Sequence, residues 1–421
     1  MTRAGRFHNG LGWCVIALTY AVAFFQRNSL QSFVDILTRD LMIDASAVSF
    51  LIAVYFYGYV FMQIPAGILT DAYGVKRLIL LSQFTSCMGV LMFAQSDTLY
   101  AATFSRLIIA FGDALVFSIL IKYVAVRFPS SRFGLMSGLS QVAGYLGGAF
   151  ATIPLAVSVT TYGWRSSFLI VALLSFLNFI LLFLVPKDEK KTDAGSFGDL
   201  SKQLFDILKK MKDRLKTRNT WACASSFATH LVPISTLAAA WGAAMLMDMY
   251  DYSRTDASYP FMFFMAGNVI GSAICGYVVD KVASYRAALM IAATTRSALV
   301  LSLLPAFGLC FDKAAASLIF GALGFTAGGT LPLILRTVRD VYTSSQIGIG
   351  LAINFALSGL LTALAQQITG AYFFYSWDGR TLDRGPVYDA DCYSFLMIFI
   401  FSVSIVGVLT PRLLKLSRTH D

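Results

Sequence analysis

Long apolar runs, broken by short charged or Gly/Pro turns, follow one another along the whole chain. The pattern predicts spans near 11–33, 46–69, 78–96, 98–121, 134–157 and 164–186. A second set is predicted near 220–247, 258–279, 287–309, 314–335, 347–370 and 393–411. Such runs are long enough to cross a hydrocarbon core of roughly 30 Å as helices. Helices are required, because lipid offers no partner to unpaired backbone groups. The first run, from Leu11, is too long and too aromatic for a cleavable signal peptide and reads as the first span.

One long hydrophilic stretch interrupts the series at 187–218. Within it Leu204, Ile207, Leu208, Met211 and Leu215 fall at helical spacing, which predicts an amphipathic helix on the membrane surface. The expected organisation is a six-helix bundle over 1–186, this linker over 187–218, and a second six-helix bundle over 219–421.

Composition agrees: 57% of residues are hydrophobic and 13% charged, and mean hydropathy is +0.69, outside the range of soluble domains. The net charge of +10 invites a nucleic-acid reading until the charges are placed on the spans. With the amino terminus inside, inner segments hold 24 Lys/Arg and 10 Asp/Glu, and outer segments 6 and 12. By the positive-inside rule both termini and the linker are then cytoplasmic, as in a multi-pass protein of a bacterial inner membrane, and nucleic acid is not an expected partner. Cys14, Cys87, Cys223, Cys275, Cys310 and Cys392 are scattered without paired or metal-ligand spacing, so neither a disulfide nor a metal nor another cofactor is expected.

Two of the charged breaks share a spacing. GILTDAYGVKR at 67–77 and GYVVDKVASYR at 276–286 each run from Gly four residues to Asp and six more to Arg, 209 residues apart. Both fall in the cytoplasmic turn after the second helix of a six-helix half. Six plus six with matching turns is the parallel repeat of a two-bundle alternating-access carrier.

On these residues the chain resembles the major facilitator superfamily. GILTDAYGVKR is similar to that family's most diagnostic cytoplasmic motif, although Thr70 and Ala72 depart from its commonest form. RLIIAFGDA at 106–114, the set Arg127, Phe128, Pro129 and Arg132, GWR at 163–165 and WGAAML at 241–246 resemble further family patterns. The resemblance implies an all-α membrane protein with twelve transmembrane helices in two bundles related by pseudo-two-fold symmetry, working as a monomer. It also implies a cytoplasmic gate at Gly67, Asp71, Gly74, Arg77 and Arg132, with Asp280 and Arg286 as a weaker counterpart. GYLGGAF at 144–150 lacks the Gly-Pro pair that resembles the mark of drug-exporting branches, which favours import.

Charges inside the membrane cost at least about 2.5 to 3.5 kcal/mol each on insertion scales, so each is a functional candidate. Asp113 and Arg106 lie two turns apart on one face of the fourth span. They read either as a proton or substrate-amine site with its tuning cation, or as an interhelical clamp. Arg27 reads as a fork for a carboxylate or phosphate, or as a side chain snorkelling to the interface. His230 reads as a proton-coupling group or a structural hydrogen bonder. Arg296 is on a span expected at the periphery; it reads as facing the interior of its own bundle and pairing with another helix, and no substrate contact is expected of it. Tyr55, Tyr59 and Gln63 share a face of the second span, and Gln141, Trp241 and Asn354 lie on helices that line the family's cavity.

The expected function is secondary active transport of a small anionic or zwitterionic solute, an organic acid, amino acid or small peptide, by proton-coupled import. The alternative is a uniporter or exporter of a small metabolite such as a nucleoside or siderophore. A transporter-like receptor and a membrane enzyme rank below both. With three histidines spread over two termini and one span, the clustered acid-base set of a membrane enzyme is missing.

Overall fold

The computed structural model describes residues 3–186, 205, 208, 209, 211–278, 284–305, 311–342, 347–382 and 385–414. Among them run twelve helical spans. The first six are Arg3–Asn28, Ala45–Tyr73, Val75–Ala94, Leu99–Arg127, Ser130–Phe150 continued by Ile153–Tyr162, and Trp164–Leu181. The second six are Arg218–Thr236 continued through Leu237–Trp241 to Gly242–Tyr250, then Arg254–Val278, Tyr285–Ser302, Lys313–Val341, Ile347–Ser376 and Ala390–Leu409. Ten are long and apolar enough to cross a membrane. The ninth is less apolar, because it carries Arg286, Thr294, Thr295 and Arg296.

Local chemistry sets the ends. Asp44, Thr98, Ser284 and Asp312 accept from the backbone N–H three residues on, capping the second, fourth, ninth and tenth spans. Each such cap stabilises by about 0.5 to 2 kcal/mol. The first span stops at Asn28, five residues before the apolar pattern ends. There Asn28 Nδ2 donates to the Phe24 carbonyl and Ser29 Oγ to that of Gln26, competing with the helix, and a short helix Val34–Asp40 leads on to the second span. Gly74, at φ 77°, makes the one-residue turn between the second and third spans, a backbone conformation other residues rarely adopt.

In lipid, apolar burial does not by itself draw helices together; close packing does. A Cβ on Gly147 would collide with the Ala21 carbonyl, so the fifth span lies backbone to backbone on the first. Gly324 and Gly328 meet the carbonyls of Phe264 and Asn268 in the same way, locking the tenth span to the eighth. Across the halves, the second span packs on the eleventh and the fifth on the eighth. Tyr57 Oη accepts from Gln367 at 2.8 Å in the first of these seams.

At one end, hereafter the Asp35 end, the halves are tied by Arg254, which pairs with both carboxylate oxygens of Asp35 and donates to the Ser32 carbonyl. That pair is largely buried. Nearby Trp241 stacks on Phe373, Tyr388 and Tyr393 meet these rings edge to face, and Asp248 accepts from the Tyr393 hydroxyl at 2.6 Å. In the loop beyond the eleventh span, the backbone N–H and guanidinium of Arg380 hold the Asp378 carboxyl below its usual range. Of the amphipathic linker, Leu204 and Ile207 lie outside the described residues; residues 211–214 are helical, with Met211 buried and Leu215 exposed.

Candidate functional site

A cavity of about 160 Å³ lies between the two halves. Tyr20, Arg27, Asn28, Tyr59, Gln141 and Tyr145 supply its polar groups from one half. His230, Ser235 and Asn268 supply them from the other, and phenylalanines from both fill the gaps. A larger apolar groove, about 540 Å³, runs along the first, fifth and sixth spans, but no charged side chain lines it.

Arg27 projects into the central cavity from the last turn of the first span. Its guanidinium lies over the rings of Tyr59 at 4.6 Å, Phe24 at 4.9 Å and Tyr55 at 5.9 Å. Aromatic faces hold a cation in place without neutralising it, which leaves its planar N–H fork available to an incoming anion. The snorkelling alternative does not describe this placement. Gln141 accepts from the Tyr20 hydroxyl at 3.0 Å on the same wall.

Behind that wall is a buried polar knot. Asp113, 4% exposed, accepts from Tyr55 Oη at 3.1 Å and from Ser86 Oγ at 2.7 Å. Arg106, 1% exposed, donates to the Gln26 carbonyl at 2.9 Å and lies over the opposite side of the knot on the Tyr55 ring, 4.9 Å away. Tyr55 thus touches Asp113, Arg106 and Arg27 together, and stacks on Tyr59 at 6.4 Å. A continuous contact path runs from the cavity cation to the buried carboxyl.

In the second half, His230 reaches the cavity from the seventh span, stacked on Phe227. Arg296 faces the interior of its own bundle at 2% exposure and places Nη1 3.3 Å from His230 Nδ1 on the seventh span.

Other candidates lie elsewhere. Gln63 is half-buried on the second span and does not line the cavity. Trp241 is buried at the Asp35 end, stacked on Phe373 with centroids 4.3 Å apart. Asn354 is buried and donates to the Gly350 carbonyl of its own helix. In the gate stretch Gly74 is buried and Arg77 exposed, while Lys76 Nζ caps the sixth span at the carbonyls of Phe183 and Val185. Lys122 reaches the Thr70 carbonyl. Arg132 is exposed in the first turn of the fifth span, and Arg286 half-buried in that of the ninth. Gly67 and Asp71 are within the second helix, and Asp280 lies outside the described residues. Sequence reading did not single out Tyr20, Asn28, Tyr145, Ser235 or Asn268; an Asn inside an apolar run was the available signal for two of them.

Two bundles of six helices enclosing a polar cavity at their seam define a membrane carrier of the alternating-access class. The model of the Major Facilitator Superfamily matches residues 16–366, and the chain belongs to that family. It is 22% identical over 310 residues to the probable galactarate/D-glucarate transporter GudP of Bacillus subtilis, covering 67% of this chain and 68% of that one. It is 23% identical to the nitrite extrusion protein of the same organism, over 85% of this chain and 87% of the relative. With the hexuronate transporter of Escherichia coli K12 it shares 24% identity over about half of each chain, 51% and 53%. Among solved structures, an inward-facing, unoccupied bacterial homologue of the human lysosomal transporter Spinster superposes with a TM-score of 0.74 at 14% identity, covering 98% of this chain and 99% of that one. The nucleoside transporter NupG superposes at 0.72 with 12% identity, over 96% and 100%. At such identities the structural likeness speaks for the fold.

Proposed function

We propose that the protein is a proton-coupled importer of a small organic anion, with a sugar acid as the class to test first. The observation that carries this reading is Arg27: a guanidinium facing a polar cavity, held by aromatic rings, with no carboxylate paired to it among the described residues. A site of that kind favours a carboxylate or phosphate. The relatives named for galactarate, glucarate and hexuronate support the class. The cavity is smaller than the roughly 300–1,000 Å³ of drug-sized pockets, which fits a small metabolite.

Asp113 serves as the proton carrier in this reading. A carboxyl buried in a membrane span can move a proton across. Its link through Tyr55 to Arg27 gives a route by which proton and anion sense each other. Charge placement along the chain supports cytoplasmic termini, so the Asp35 end faces outward and the Asp35–Arg254 pair closes it. The outer end is then the one held closed.

The test is uptake by purified protein in liposomes, with labelled D-glucarate, D-glucuronate, amino acids and nucleosides, with and without an inward proton gradient. Gradient-stimulated uptake of a sugar acid is expected. Uptake of none of the acids, or uptake indifferent to the gradient, contradicts the respective half of the reading.

A further inference from the structure

The seventh span carries an internal proline, Pro233. Proline has no N–H, so the helical bond from residue 233 to the carbonyl of Thr229 cannot form. That carbonyl accepts instead from Arg296 Nη2, 3.3 Å away, across from the ninth span. The same guanidinium presents Nη1 to His230 Nδ1 at 3.3 Å. Arginine has donors only and is always charged, so the nitrogen facing it must be the acceptor. The ring proton is therefore placed on Nε2, the nitrogen away from Arg296. Since His230 lines the central cavity, a fixed N–H donor is available there.

No carboxylate pairs with Arg296 among the described residues, and its Nε has no hydrogen-bond partner. The charged groups near the imidazole are thus Arg296 behind it and Arg27 on the opposite half of the same cavity, both positive. A second proton on the imidazole would add a third positive charge and would have to displace Arg296. The break at Pro233 and the five-residue π segment that follows, Leu237–Trp241, set this part of the seventh span apart from a regular helix, as often happens at functional sites.

We infer that Arg296 is a positioning residue that pins His230 as a neutral Nε2–H donor, and that this pair is the second anion-recognition point of the cavity, selecting solutes with an acidic group at each end. His230 then recognises the solute and does not carry the coupled proton. The selection of a dicarboxylate rests on the anion reading above, whereas the pinning of His230 does not.

Two measurements test it. The chain has three histidines, His8, His230 and His420, so replacing the first and last with Gln leaves one imidazole for nitrogen-15 NMR after selective histidine labelling. At neutral pH the spectrum is expected to show an unprotonated Nδ1 and a protonated Nε2. R296Q should release this into a tautomer mixture or an imidazolium, and R296K should restore it. An Nδ1–H tautomer or an imidazolium in the Arg296 protein, or a spectrum unmoved by R296Q, overturns the pinning.

The second measurement is competition binding of D-glucarate against its monocarboxylate counterpart D-glucuronate. The wild-type protein is expected to prefer the dicarboxylate, and H230A to lose about tenfold or more of that preference, the worth of one hydrogen bond to a charged group. An unchanged ratio in H230A overturns the selection. If the wild-type protein binds neither acid, the anion reading and the selection fall together, and the NMR result decides the pinning alone.

Discussion

Asp113 and Arg27 meet through Tyr55, and that one ring carries the coupling argument at the scale of residues. Asp113→Asn keeps the shape and an acceptor but cannot release a proton. It is expected to abolish gradient-driven uptake while sparing solute exchange; uptake still driven by the gradient would remove Asp113 from the mechanism. Arg27→Gln should weaken anion binding by about tenfold or more, the loss of a charge-assisted hydrogen bond, seen in equilibrium binding. The polar residues that sequence could single out were those costly to place in lipid, and Arg27, Asp113 and His230 all sit at the cavity or directly behind it. Their contacts were not legible. The spans are apolar nearly all round, so hydropathy gives no face, and Trp241 and Asn354 could be assigned to cavity-lining helices without showing that one stacks on Phe373 and the other bonds its own helix. Arg296 read as reaching another helix from inside its own bundle, but that the helix is the seventh and the partner His230 was not legible, since one position gives no pairing.

Among elements, the glycine seams and the Arg254 tie make separable predictions. Gly147 lies against the Ala21 carbonyl, so Gly147→Val must push the first and fifth spans apart, at about 1 to 3 kcal/mol for overpacking. Its melting temperature in detergent should fall; an unchanged value would mean the seam is looser than described. Arg254→Gln leaves Asp35 buried without its cation, a loss on the order of 3 kcal/mol where burial is complete and less here, since the Arg254 side chain is 12% exposed. The Asp35 end should open more often, and a cysteine placed in the cavity should react faster with a membrane-impermeant thiol reagent added outside. The twelve-span count was legible from the hydrophobic pattern alone, because the bilayer fixes the length of each helix. Breaks at 151–152 and 237–241, within spans predicted as continuous, were not, since a local change in hydrogen bonding leaves hydropathy unaltered.

For the whole molecule, the repeated charged turn gave the two-fold plan, and the structure adds which end is tied shut. The gate stretch shows how far such a motif reaches. Gly74 is needed for its turn and Lys76 anchors the sixth span, both within one half, so these contacts tie spans of the first bundle to one another, as tilting of that bundle as one body would require. The second and eleventh spans, and the fifth and eighth, form the seams about which such tilting would occur. The central claim is that a cavity between two rigid bundles opens at one end as it closes at the other. Pairs of spin labels, one pair across the bundles at the Asp35 end and one at the Gly74 end, measure this directly by pulsed electron resonance. On adding D-glucarate at acidic pH, or on introducing Arg254→Gln, the account predicts that the population with the Asp35-end pair farther apart grows while the Gly74-end pair closes by the same fraction. Distances that stay fixed at both ends, or that lengthen together, would contradict it.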